Sequence, residues 1–342
     1  MIPFLLLALA PIVTAPDDLP LKGAVIVVDP GHGGQGYSRS YTGGTRGVAS
    51  KMTESALNLR VGLELAKILQ DQGATVHLTR VADHRLSPEG SSTSDELHAR
   101  IDFFEHHNCH FFLSVHHNAG PAATSGHTAL YKHNAADDTL YKAIAQNVNE
   151  ALVGAVPGPK HALIKGSYHI LRETPIPGTI AESGYMTNQA FDDLSTTPDY
   201  PKKEAAAIAK GAVKYWTNYK AELVALREKL DKERAAKPRD PKSYTAAALN
   251  PAFQERMKDL LGKVAPGGKY EAAKVGEYVE AFRKVVVTGP EAAFAVEAER
   301  SGEKVKLTGT VSDWKYNDRL IDMLVAMKLY GITNEIRVPK GK

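Results

Sequence analysis

The segment Val27-Val28-Asp29-Pro30-Gly31-His32-Gly33-Gly34 constrains this chain more than any other stretch. Ala24 to Val28 is an apolar run rich in β-branched residues, which reads as a short buried strand, and Pro30 with the glycines that follow ends it abruptly. His32 is therefore expected just beyond the C-terminal end of a strand, where open α/β sheets place ligands and active sites.

The chain from Leu21 to about Tyr219 supplies the partners such a strand needs. Glu54 to Gln70 carries Leu57, Val61, Leu65, Ile68 and Leu69 at helical spacing, and Gly73 follows as a C-terminal cap. Thr75 to Thr79 reads as a strand, Asp95 to His106 as a helix, and Phe111 to Val115 as a second apolar strand. Leu140 to Leu152 is a helix, Ile164 to Leu171 holds a candidate strand, Thr179 to Gly184 is a strand, and Lys203 to Leu230 is helical. Alternating strands and helices predict an α/β fold, a mostly parallel sheet with helices on both faces.

Two further residues share the setting of His32. Glu54 opens the first helical pattern, and His116 lies where Phe111-Phe112-Leu113-Ser114-Val115 gives way to His116-His117-Asn118. Together they form a His, Glu, His set, the combination that holds a catalytic zinc and leaves one position for water. Successive strand residues point to opposite faces, so His116 and His117 are not expected to reach the metal together. Glu182 ends the strand at Thr179 to Gly184 and is expected over the same sheet edge. Arg80 and Asp83 follow a strand end and are expected to pair and order a loop. Asn118 and Asn188 are candidates for hydrogen bonds to loops or to substrate.

At 342 residues the chain has room for more than one domain, and a net charge of +3 gives no argument for nucleic acid. The single cysteine, Cys109, rules out an intramolecular disulfide and reads as a small buried hydrophobe. Ile2 to Val13 is apolar but too short to span a bilayer, and with Ala15 it suits a secretory signal peptide over residues 1–15, although no basic residue precedes it and Pro16 follows. Charge alternates densely over Lys220 to Lys242 and ends in Lys237-Pro238-Arg239-Asp240-Pro241. This reads as a charged helical linker over 220–243, after the unit at 21–219.

The last segment, 244–342, reads as a small α+β module. Helices over Pro251 to Lys284 precede two strands: Phe294, Val296 and Ala298 alternate with polar residues, as do Val305, Leu307 and Val311, around a turn at Ser301-Gly302. Leu320, Met323, Leu324 and Met327 share a helical face, and Ile332 to Val338 is a final strand. Lacking a carboxylate or histidine cluster, the module is expected to bind or scaffold.

Five motifs occur in the order found in zinc-dependent N-acetylmuramoyl-L-alanine amidases of the amidase 3 type: Val28 to Gly34, Glu54 to Leu59, Leu78-Thr79-Arg80 with Asp83, Ser114 to Ala119, and Pro177 through Glu182 to Asn188. Residues 21–219 resemble that family. The resemblance implies a zinc held by His32, Glu54 and His116, and a catalytic Glu182. It also implies the substrate, the amide between muramic acid and the first alanine of the peptidoglycan stem, and a place in the periplasm or cell envelope after export. His117 stands where the family commonly has a small residue, and Gly184-Tyr185 where it has Gly-Phe. The final module resembles a BON domain, leaving a membrane, wall or protein partner open. Two other readings are another zinc peptidase or amidase and a non-catalytic wall-binding scaffold, against which the complete His32, Glu54, His116 and Glu182 set argues.

Overall fold

The computed structural model describes residues 19–34, 43–87, 91–132, 139–236, 251–268, 270–287, 293–301, 304–312 and 332–337, with Tyr316, Arg319, Leu320, Met323, Leu324 and Met327. The signal-peptide segment, residues 237–243 and most of the expected helix around Leu320 lie outside these residues.

Six strands, β1 (Val25–Pro30), β2 (Thr75–Leu78), β3 (Phe111–Asn118), β4 (Thr128–Lys132), β5 (Ile164–Gly166) and β6 (Gly178–Tyr185), form one sheet in the order β2-β1-β3-β6-β4-β5. The first four in that order are mutually parallel, β4 runs antiparallel to β6, and β5 is parallel to β4. The sheet is thus mostly parallel, as the alternation of elements predicts, with a reversal at β4.

Helices cover both faces. Ile26, Val28, Phe111, Leu113 and Val115 pack with Leu57, Val61 and Leu65 of α1 (Glu54–Asp71), Ile144 and Val148 of α3 (Thr139–Ala151), and Ile208 and Trp216 of α6 (Asp199–Ala236). On the other face Val27, Phe112 and Ile180 meet Ile101, Phe103 and Phe104 of α2 (Thr93–His106) and Leu171 of α4 (His169–Arg172). Each such side chain removed from water is worth about 1.5–3 kcal/mol, which ties the strand register to the core. A short α5 (Gln189–Ser195) follows β6.

Helix α6 continues through the boundary expected at 219/220. It kinks at Tyr219 (φ −128°, ψ 19°), and the following turns pack back onto the sheet unit. Leu223 is fully buried, and Arg227 donates to the Cys109 carbonyl at 3.5 Å and to Asn108 Oδ1 at 3.4 Å. The charge over this stretch conceals an apolar and hydrogen-bonded stripe.

The C-terminal region has its own core. Helices α7 (Pro251–Val264) and α8 (Val275–Val286) pack with β7 (Phe294–Ser301), β8 (Lys304–Val311) and β9 (Ile332–Arg337), through residues such as Leu261, Phe282, Leu307 and Met323. Strands β7 and β8 are antiparallel, while β8 and β9 are parallel. Val81 and Ala82, from the loop after β2, join this second core. No helix among the described residues is long and apolar enough to cross a membrane.

Candidate metal centre

The three donors singled out by sequence converge at the C-terminal edge of the parallel strands. His32 sits in the turn after β1, Glu54 is the first residue of α1, and His116 lies near the end of β3. One ligand atom from each lies within 4.8 Å of the others. Glu54 Oε1 is 3.2 Å from His32 Nε2 and 3.0 Å from His116 Nδ1.

Local structure explains how each is held. His32 adopts a left-handed backbone (φ 61°), uncommon for a residue with a Cβ, and buried arginines tie down the carbonyls around it. Arg80 donates to Pro30 O at 2.8 Å, Gly31 O at 3.0 Å and Ser55 O at 2.6 Å, while Arg100 donates to His32 O at 2.7 Å. Asp83 Oδ1 accepts from the Gly34 N–H at 2.6 Å. The sequence predicts that Arg80 and Asp83 pair; each hydrogen-bonds backbone groups of one loop, the turn that carries His32.

Arg100 escaped the sequence reading. It pairs with buried Asp29 at 2.5 Å and with Glu96 at 3.1 Å, and only the four-residue spacing from Glu96 hinted at it. Burial opposes the charge on Asp29, but Arg100 and the hydroxyls of Thr79 and Ser114, each donating at 2.7 Å, hold its carboxyl below the usual range.

Thr53 caps α1, accepting the Ala56 N–H at 3.2 Å, which puts Glu54 in the first helical turn. Glu54 Oε2 accepts the Thr45 N–H at 3.0 Å, and Oε1 accepts the His117 N–H at 3.2 Å. Burial works against its charge, yet hydrogen bonds from His116 and His32 prevail and keep the carboxyl well below the ordinary value. Burial lowers His32. For His116, burial is outweighed by the Glu54 hydrogen bond and by nearby carboxylates, so its pKa rises.

Glu182 pairs in register with His116 across the parallel strands β6 and β3, so both side chains leave the same face. Its Oε2 is buried and has no hydrogen-bond partner among the described residues. Burial raises its pKa, opposed by His116 and reinforced by Glu54. His117 points to the other face, where Nε2 lies 2.9 Å from Glu204 of α6. Asn118 and Asn188 serve local backbone: Asn118 Oδ1 accepts the Ala119 N–H at 2.8 Å, and Asn188 caps α5 through the Phe191 N–H at 3.1 Å.

Two imidazole nitrogens and a carboxylate oxygen are a donor combination able to hold a metal ion such as zinc, and Glu182, paired with His116 across the strands, adds a buried carboxylate oxygen without a hydrogen-bond partner among the described residues. The residues fit such an ion.

Comparison with known proteins places the sheet unit in a family. The family described as N-acetylmuramoyl-L-alanine amidase matches residues 26–214. The germination-specific N-acetylmuramoyl-L-alanine amidase of Bacillus subtilis is 31% identical over 209 residues, covering 59% of this chain and 84% of that protein. The probable cell wall amidase LytH of Staphylococcus epidermidis is 27% identical over 199 residues, covering 58% of this chain and 60% of that one. Among solved structures, the CwlD amidase from Clostridioides difficile, in complex with the GerS lipoprotein, superposes with a TM-score of 0.50 at 26% identity, covering 57% of this chain and 98% of CwlD.

Proposed function

The chain belongs to the N-acetylmuramoyl-L-alanine amidase family, and from that premise we propose that it hydrolyses the amide between N-acetylmuramic acid and the first L-alanine of the peptidoglycan stem. In this reading His32, Glu54 and His116 hold a zinc ion, and Glu182 is the general base and acid. The observation that carries it is the convergence of three donor atoms within 4.8 Å beside the unpartnered carboxylate oxygen of Glu182.

When bound, zinc supplies Lewis acidity, polarising the scissile carbonyl and lowering the pKa of water from about 15.7 towards about 7. Glu182 takes a proton from the attacking water at Oε2. Burial raises the affinity of that carboxylate for the proton, which strengthens it as the base. The water oxygen adds to the carbonyl carbon, the C–N bond breaks, and Glu182 delivers its proton to the departing alanine nitrogen. The products are a lactyl carboxylate and a stem peptide with a free amino terminus. Arg80 and Arg100 keep the turn carbonyls fixed, so His32 presents Nε2 without backbone rearrangement.

A substrate of this kind places the protein in the cell envelope, with residues 1–15 as an export signal. We place the end of the catalytic unit beyond Arg227, the last buried residue of α6, rather than at 219. The C-terminal module, read as BON-like, then serves a wall, membrane or protein partner.

The test is zinc content together with turnover. Wild-type protein is expected to carry one zinc per chain and to lose hydrolysis on chelation. Glu182→Gln should keep zinc and fold but lose at least about a hundredfold in kcat. If Glu182→Gln loses zinc as His32→Ala does, Glu182 is a ligand; if it retains full turnover, it has no part in the chemistry.

A further inference from the structure

A buried polar chain runs from α6 to the metal donors on the side of the sheet away from Glu182. Glu204 Oε2 lies 2.9 Å from His117 Nε2, and His117 Nδ1 lies 2.7 Å from Asn58 Oδ1. The Asn58 amide nitrogen in turn donates to Gly31 O at 3.1 Å and faces Glu54 Oε1 at 3.5 Å. Glu204 and Asn58 are fully buried and His117 nearly so, in a core otherwise built from groups such as Leu57, Phe191, Ile208 and Trp216.

The polarity of this chain is fixed at one end. The Gly31 carbonyl only accepts, so Asn58 must present its NH2 there and its carbonyl oxygen to His117. That oxygen only accepts, so His117 Nδ1 carries a hydrogen, and one further hydrogen between Nε2 and Glu204 completes the run. A flipped Asn58 amide would set its oxygen against both Gly31 O and Glu54 Oε1. The His117 ring prevents the flip, and Glu204 prevents the ring, whose outer torsion has a broad two-fold preference, from turning away. The His117 backbone N–H also donates to Glu54 Oε1, so ring and donor move together.

We propose that Glu204 and His117 are positioning residues for the zinc donors, acting through Asn58 to fix the carboxylate of Glu54 and the turn that carries His32. The proposal rests on the zinc reading above. Orienting groups behind a ligand typically change metal affinity by about 10- to 100-fold. Neither residue touches the substrate or the ion.

The test compares zinc dissociation constants, by chelator competition on the full chain, with melting temperatures of the metal-free protein. Glu204→Leu is expected to weaken zinc by about tenfold. Glu204→Gln should stay within about twofold of wild type, because its amide still donates to His117 Nε2. If Glu204→Leu does not fold, the double variant His117→Leu with Glu204→Leu, which leaves neither partner alone, should show the same loss of about tenfold. Unchanged zinc affinity with a lowered metal-free melting temperature would mean a purely structural role and overturn the proposal. So would equal weakening by Gln and Leu. A wild-type chain that takes up no zinc would instead fail the underlying reading.

Discussion

Gly31 leaves the space that the His116 ring occupies, and His84 lies buried near Arg80 and Arg100. A Cβ at Gly31 would lie 2.1 Å from His116 Nε2, so the close approach of turn and ring needs glycine. Gly31→Ala is expected to push the His116 ring aside and lose at least about tenfold in zinc affinity with secondary structure intact; zinc titration and circular dichroism check this, and wild-type affinity would contradict it. His84 is fully buried, and burial together with Arg80 and Arg100 lowers its pKa from 6.5 to about 3. Between those values the unfolded chain binds a proton that the folded chain refuses. Stability is therefore complete above pH 6.5 and falls as pH drops through that window, by about 1.4 kcal/mol per pH unit. His84→Leu should remove one proton from this slope in urea unfolding at stepped pH; an unaltered slope would contradict the assignment. Asp29 adds to acid sensitivity lower down: its depressed pKa means its contribution is whole above 3.8 and is lost as pH falls through the folded value.

Strand ends and one helix start build the site, and these were the elements most legible in the sequence. Strands β1, β3 and β6 each read as an apolar run broken by polar residues, and α1 as a spaced apolar stripe behind Thr53 and Glu54. Alternation predicted that His116 and His117 face opposite ways, the resemblance chose His116, and the fold places the two on opposite faces. Strand β4 and helix α5 were not foreseen, because Thr128 to Tyr131 is buried throughout and shows no alternation, and α5 is only seven residues long. The supports of the site were also hidden: Arg100, Asn58 and Glu204 meet their partners 71, 27 and 87 residues away, beyond the reach of local periodicity. The α1 cap carries a prediction of its own. Thr53→Ala should cost about 1 kcal/mol of stability and loosen the first turn holding Glu54. A denaturation midpoint and zinc affinity both equal to wild type would show that the cap does not matter.

Across the whole molecule, α6 decides where the catalytic unit ends, and the loop after β2 links that unit to the second core. A chain ending at Ala236 keeps Leu223 and Arg227 in place and is expected to fold and bind zinc, with Val81 and Ala82 newly exposed. A chain ending at Tyr219 loses the buried Leu223, a deletion of the kind that costs about 2–5 kcal/mol, and should melt well below the longer one. Equal melting temperatures would put the boundary back at 219. The central claim concerns the bond that is cut, and the most direct measurement is product analysis of purified peptidoglycan digested with the zinc-loaded full chain. The expected products are stem peptides bearing a new N-terminal L-alanine and glycan strands stripped of peptide, with none formed after chelation. New reducing sugar ends, or cuts within the stem peptide without release of N-terminal alanine, would contradict it.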